Sequence, residues 1–291
     1  MKFLMEPKFR IASITDEFSP ADPARSLAQM ASIGMTGAEL RVIFGKNIMD
    51  LNDDEMTRMR HLLEGHRMEV ISIASPILKC VLPNAPEIDG RFQQDIFNSK
   101  HTFEDQPELA ERAFRIAKFF GAKIIRVFSY WRTVDPDKCF DAVATALEDL
   151  AEKAAKQDLI IGIENEHACN ISTAKDAARI LDAVKHPNLQ LVWDPANALC
   201  SGEDPFPGGY ALLPKDRIAH VHVKDCHMDG HKPIWGPVGT RSVDWKGQIA
   251  ALQADGYKGW LSLETHWPGP GGDKFLASTI CGWNMRGLAS M

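Results

Sequence analysis

The sequence predicts an α/β protein built as one (β/α)8 barrel over residues 1–291, on three observations. Short apolar runs alternate with amphipathic stretches of about 10–18 residues, eight such pairs can be counted, and no glycine-rich nucleotide-binding turn occurs. Strands that alternate with helices imply parallel pairing, because a parallel strand pair needs a long crossover connection. The 291 residues, 45% hydrophobic and 25% charged, suffice for a large core, and barrels of this kind run to about 250 residues or more as a single unit. The competing open, doubly wound sheet needs fewer strands and usually a glycine-rich first βα turn. Here that turn reads Thr15-Asp-Glu-Phe-Ser-Pro20, and neither GxGxxG nor a P-loop is present.

Strands are expected at Arg10–Ile14, Gly37–Leu40, Glu69–Ala74, 123–128, 159–163, Leu189–Trp193, Ile218–Val223 and Trp260–Leu263. Ser19-Pro20 is expected to open the first helix, Asn52-Asp53-Asp54 the second and Gln106-Pro107 the third. Gly34, Gly65 and Gly121 stand where helices should end. Thr173 is placed to cap the fifth helix, and Asp244 or a near neighbour to begin the seventh. The connections 76–106 and 226–243 are too long for simple turns and both come after strands, which in a barrel puts them on the face where active sites are built. Trp235 and Trp131 lie in or near these connections, placed to offer an apolar wall to a sugar.

A net charge of −6, with no Lys/Arg-rich run, argues against a nucleic-acid partner. Charges break Met1-Lys-Phe-Leu-Met-Glu-Pro-Lys-Phe-Arg10 before an apolar leader segment can form, and no stretch approaches membrane-spanning length. The six cysteines are scattered without CxxC spacing and read as thiols in a reducing compartment. A soluble, cytoplasmic protein without a membrane partner is expected, compatible with a homo-oligomer.

Four acidic or imidazole residues stand at the ends of the last four strands: Glu164, Asp194, His222 and Glu264. Their spacings of 30, 28 and 42 residues match a βα unit of about 30 residues, the last lengthened by its long connection. The chain therefore returns to the same rim each time, where four ligands can converge. Any one such carboxylate would be read as a strand-end ion pair; four in register point to a divalent ion that accepts oxygen and nitrogen donors, with Mn²⁺, Mg²⁺, Co²⁺ and Zn²⁺ all suitable. Alternation along the seventh strand puts His220, His222 and Lys224 on one face, with Lys224 towards substrate. Glu166 and His167 are placed to contact substrate or brace ligands, and Asp16, Glu39, Arg41, Lys79 and Arg126 stand at or near other strand ends.

The segments Ile163-Glu-Asn-Glu-His167, Leu191-Val-Trp-Asp-Pro-Ala-Asn197, His220-Val-His-Val-Lys-Asp225 and Leu261-Ser-Leu-Glu-Thr-His-Trp267 resemble those of the sugar phosphate isomerase/epimerase family with the xylose isomerase-like TIM barrel. The resemblance extends from Thr15-Asp-Glu-Phe-Ser19 to Gly256-Tyr257, nearly the whole chain. It implies one Mn²⁺- or Mg²⁺-type centre held by Glu164, Asp194, His222 and Glu264, with Glu164 and Glu264 doubling as catalytic proton-transfer groups. Lys79, His167, Asn197 and Lys224 are the expected substrate-binding residues. Family members that epimerise ketohexoses carry a His three residues after the metal Asp and an Arg six after the metal His; this chain has Asn197 and Met228 there. Related endonucleases need a further His where Asn197 stands. The expected activity is isomerisation or epimerisation of a sugar, keto-sugar or cyclitol through an enediolate. The alternatives are a dehydratase of a keto-inositol or related keto-sugar, and a barrel that binds metal and sugar without turnover.

Overall fold

A computed structural model describes residues 6–92 and 100–291. Residues 1–5 of the N-terminal segment and 93–99 of the 76–106 connection lie outside the described residues. Eight strands succeed one another along the chain: β1 (Arg10–Ile14), β2 (Gly37–Leu40), β3 (Glu69–Ala74), β4 (Ile124–Val127), β5 (Ile160–Glu164), β6 (Leu189–Trp193), β7 (Ile218–Val223) and β8 (Trp260–Leu263). The main helices alternate with them: α1 (Pro23–Ile33), α2 (Asp53–His66), α3 (Gln106–Phe120), α4 (Phe140–Ala155), α5 (Ala174–Ala183), the short α6 (Pro195–Cys200), α7 (Trp245–Ala254) and α8 (Lys274–Ala289). The predicted βα repeat is thus present through all eight strands.

The chain forms two compact units, one comprising the residues up to Ile71 with His220–Met291, the other Ser72–Ala219; the boundaries fall inside β3 and β7. In the first unit the strands run parallel in the order β2, β1, β8, β7, with Ala12 opposite Gly37, Ser13 opposite Leu263 and Ser262 opposite His222. The second unit repeats the arrangement as β3, β4, β5, β6, with Ala74 opposite Arg126, Arg126 opposite Gly162 and Glu164 opposite Val192. Most strand residues are buried on both faces, as parallel strands covered by helices require.

Two glycines inside strands mark where side chains crowd the sheet. A Cβ on Gly37 would lie 2.7 Å from the Trp260 ring and 2.9 Å from the Ala12 Cβ. One on Gly162 would lie 2.8 Å from the Val192 Cγ2. Both positions therefore exclude any larger residue without a shift of these neighbours.

Helix ends obey local chemistry. Asn52 and Glu55 form a reciprocal capping box on α2, as Thr173 and Asp176 do on α5, and Asp244 accepts from the Gly247 N–H to start α7. Gly34 and Gly121 end α1 and α3 in the left-handed conformation. Two expectations are corrected. The first helix begins at Pro23, not at Ser19-Pro20, because Asp22 accepts from the Arg25 N–H and Pro23 presets the first helical φ. The second runs past Gly65 to His66, and Arg67 adopts the left-handed capping conformation with φ 54°. Strands β4 and β5 each differ by a residue at their ends from the expected 123–128 and 159–163.

The 226–243 connection contains an antiparallel hairpin, Asp225–Asp229 paired with Lys232–Gly236. Asp225 anchors the segment after the hairpin, its carboxylate accepting from the N–H groups of Gly239, Thr240, Arg241 and Val243. All six cysteines are buried and none is in a disulfide. No helix among the described residues is long and apolar enough to cross a membrane.

Candidate metal centre

In the first unit, β2, β7 and β8 deliver a buried cluster of acids, imidazoles and cations. Alternation along β7 puts the His220 and His222 rings together, 5.3 Å apart and nearly perpendicular. Both meet Glu39 from β2: the His220 Nε2 contacts Glu39 Oε1, and the His222 Nε2 lies 3.3 and 3.2 Å from the two Glu39 oxygens. Donor atoms of these three fully buried residues lie within 4.8 Å of one another. Burial pushes the Glu39 carboxyl up, but His220 and His222 outweigh it and hold Glu39 well below the usual carboxylate range.

His222 turns its other nitrogen to Glu264, Nδ1 lying 3.4 Å from Oε2. The same Glu264 oxygen accepts from Lys224 Nζ at 2.8 Å, and Oε1 accepts from Arg41 Nη1 at 2.8 Å. Burial again raises this carboxyl, but Lys224, His222 and Arg41 hold it well below the usual range, so Glu264 is ionised. Arg41 is a hub: its Nε and Nη2 also reach Asp16, and Nη2 reaches Glu17 at 2.7 Å. Burial alone would lower the Arg41 pKa; the three carboxylates raise it above its ordinary value. Lys274 at the start of α8 contacts the other Glu17 oxygen at 2.8 Å.

Above this cluster, Trp235 of the hairpin stacks on His266, with centroids 4.6 Å apart, and lies 5.9 Å from Lys224 Nζ. That places the expected indole one side chain away from Glu264.

In the second unit, β4, β5 and β6 place Arg126, Glu164 and Asp194. Glu164 Oε2 accepts from Arg126 Nη1 at 2.8 Å, and Oε1 from the Asn197 amide at 3.2 Å. Asp194 is the N-cap of α6, accepting through Oδ1 from the Asn197 N–H. Asn165 locks the ends of β5 and β6 together, receiving the Asp194 N–H on its side-chain oxygen and donating to the Asp194 carbonyl, both at 2.8 Å. His167 Nδ1 pairs with the Asn197 side-chain oxygen at 2.9 Å and lies 3.0 Å from Glu166. Asn197 thus braces Glu164, Asp194 and His167 at once.

Lys79 is buried, its ammonium 4.6 Å from the Phe128 ring centroid and 5.4 Å from that of Trp131. Arg126 lies over the same Phe128 ring at 4.2 Å. Trp131 packs with Phe128, Ala168 and Cys169.

The structure therefore brings His222, Lys224 and Glu264 into contact in one unit, and Glu164, Asp194, Asn197 and His167 in the other; Lys79 is related to its group through Phe128. Sequence reasoning noted Glu39 and Arg41 only as charges at a strand end and passed over the bracing role of Asn165. The signal for Glu39 and Arg41 was two charges at alternate positions of Ala38-Glu-Leu-Arg41 in an apolar strand. Nothing in one strand reveals that Glu39 meets His222.

The protein has acidic and imidazole residues that could hold a metal ion. Glu164, Asp194, His222 and Glu264 are each buried, and carboxylates and imidazole without thiolate are donor types that suit a divalent ion.

The chain belongs to the xylose isomerase-like TIM barrel family, whose model matches residues 27–279. The predicted (β/α)8 barrel is the fold of that family, and β1–β8 are its eight parallel strands. The chain is similar to an inosose dehydratase of Lacticaseibacillus casei, 26% identical over 143 residues, which are 44% of this chain and 47% of the relative. It is likewise similar to an L-ribulose 3-epimerase of Methylomonas sp. (strain DH-1), 29% identical over 141 residues, 47% of this chain and 46% of the relative. These matches span about half the length of the curated relatives. Among solved structures, the IOLI protein with a bound zinc atom superposes with a TM-score of 0.70 at 15% identity, covering 97% of this chain and 98% of that one.

Proposed function

We propose that the chain acts as a single barrel domain in which Glu164, Asp194, His222 and Glu264 hold one divalent metal ion, Mn²⁺ or Mg²⁺ by their oxygen-rich donor set, and that it isomerises or epimerises a keto-sugar or cyclitol. The observation that carries this reading is the pair of buried glutamates at the ends of β5 and β8, each with one oxygen fixed by an arginine. A glutamate held in this way is oriented, and Glu264 is kept ionised, as a general base must be. The family and the two relatives, one named a dehydratase and the other an epimerase, support a sugar or cyclitol substrate.

When bound, a divalent ion acts as a Lewis acid and template that acidifies a C–H between a carbonyl and a hydroxyl carbon. Glu264 takes that proton, and Arg41 and Lys224 fix its two oxygens while it does so. Glu164 is the second proton carrier, steadied by Arg126 and Asn197. His167 and Lys79 bind substrate hydroxyls, and Trp235 offers an apolar face to its C–H groups. Six buried cysteines without a disulfide suit a reducing, cytoplasmic setting.

A dehydratase is the second reading, favoured by Lys224. Its ammonium donates to the base Glu264, so an acid stands beside the base to protonate a departing hydroxyl. Incubating metal-reconstituted protein with ketoses and keto-inositols in D₂O, followed by mass spectrometry, tests both. Isomerisation or epimerisation gives product of unchanged elemental composition carrying solvent deuterium; loss of water replaces it with the second reading. No turnover of any such polyol by the metal-loaded protein contradicts both.

A further inference from the structure

We propose that the cavity between α3 and α4 binds a small, neutral aromatic molecule carrying one hydrogen-bond acceptor, and that the Tyr130 hydroxyl donates to that acceptor. The site shares no residue with the candidate metal centre, so it does not depend on the metal reading. Its volume is about 190 Å³, and Ile77, Leu78, Phe103, Ala110, Tyr130 and Leu150 give it a largely apolar wall. An apolar cavity of about 150 Å³ already holds benzene, so this one admits a ring with a short substituent.

Tyr130 is only 3% exposed, and its hydroxyl has no hydrogen-bond partner among the described residues. Burial, with Cys80 nearby, pushes that hydroxyl up to about 12, so at neutral pH it keeps its proton and is a donor. A buried phenol normally finds a partner; one left unpaired in the wall of a cavity marks where the acceptor of a ligand would stand. The other polar groups of the lining are already engaged. Gln106 accepts the Leu78 N–H through Oε1 and donates from Nε2 to the Thr102 carbonyl, both at 2.7 Å. Asp149 and Lys153 pair with each other at 2.7 Å and cancel in charge, which favours a neutral ligand.

The walls favour an aromatic one. The Phe103 and Tyr130 rings lie 6.0 Å apart at 34° to one another, and Phe103 remains 39% exposed, so ring surface is open to a third ring in tilted or offset contact. The backbone beneath is held under strain. Leu78 and Tyr130 both have φ 59°, and the Tyr130 N–H donates to the Leu78 carbonyl at 2.7 Å. Bulky residues rarely adopt a positive φ, and where they do they cluster at ligand clamps and active sites.

The test uses the whole chain and two neutral probes of similar size, acetophenone and ethylbenzene, of which only the first has an acceptor. Binding is read from the methyl NMR signals of Ile77, Leu78 and Leu150. Both probes should shift these signals saturably, acetophenone at the lower concentration. Tyr130→Phe, which removes only the hydroxyl, should weaken acetophenone about fivefold, the worth of one hydrogen bond, and leave ethylbenzene unchanged. Ala146→Leu, which fills the cavity from α4, should abolish saturable binding of both. No saturable shift in the unaltered chain overturns the proposal, as does undiminished binding to Ala146→Leu, which would put the probes elsewhere. Equal affinity of acetophenone for Tyr130→Phe and the unaltered chain overturns the role of the hydroxyl and with it the ligand class; ethylbenzene binding as tightly as acetophenone does so without any variant. Shifts that follow protein rather than probe concentration would make the cavity a contact between two copies of the chain and overturn the proposal as well.

Discussion

Glu264 and Glu164 end corresponding strands of the two units and each accepts from an arginine at 2.8 Å, yet the two glutamates sit in different electrostatic surroundings. Around Glu264, Arg41 serves Asp16 and Glu17 as well, Lys224 adds a second cation, and Lys274 a third through Glu17. Beside Glu164, Arg126 donates to the carboxylate and rests on Phe128, and the neutral amide of Asn197 donates to its other oxygen. A buried charge must be matched, but it can be matched by a shared network or by one partner. In a shared network a single cation carries several carboxylates, so its removal strands all of them. With one partner the damage stays local.

That contrast orders the expected effects of substitution. Arg41→Met leaves three buried carboxylates short of a partner and should cost about 3–5 kcal/mol of stability, as breaking a buried ion pair does. Thermal or denaturant unfolding measures it. Arg126→Met strands one carboxylate and gives Phe128 an apolar neighbour, so its loss should be smaller, about 1–3 kcal/mol. Equal losses for the two variants would erase the distinction between network and pair. Asn197→Ala removes the side-chain hydrogen bonds to Glu164 and His167 and should cost about 1–2 kcal/mol, while turnover falls by up to about tenfold because the carboxylate is less well oriented. Unchanged turnover would show that Arg126 alone orients Glu164.

The same contrast applies to the bases. Glu264→Gln keeps an oxygen donor but loses basicity, and it leaves Arg41 and Lys224 facing a neutral amide. In D₂O this variant, verified as metal-loaded, should lose deuterium incorporation and product formation together. If it forms isomer at the original rate, Glu264 carries no proton and Glu164 acts alone.

Most of the strand framework could be read from sequence because the apolar runs are short and bounded by polar or turn residues, as in Arg10–Ile14 and Trp260–Leu263. Helix ends were harder where two caps compete: Asp22 with Pro23 begins α1 although Ser19-Pro20 also has the right composition. The four candidate ligands stood out because each ends a strand at nearly constant spacing. Their supports did not. Arg41 is 223 residues from Glu264 in sequence and Glu39 is 183 from His222, and only folding reveals contacts of that separation. Asn197 was expected to bind substrate; that its side chain also contacts Glu164 and His167 could not be read from its place three residues after Asp194.

The central claim, one divalent ion held by Glu164, Asp194, His222 and Glu264, is tested most directly by metal content. Unaltered chain and His222→Ala are loaded with Mn²⁺, desalted and measured by elemental analysis, with circular dichroism confirming that both are folded. The account predicts close to one Mn²⁺ per unaltered chain and little in His222→Ala, since the remaining carboxylates offer no replacement for the imidazole nitrogen. Full occupancy in folded His222→Ala would contradict it.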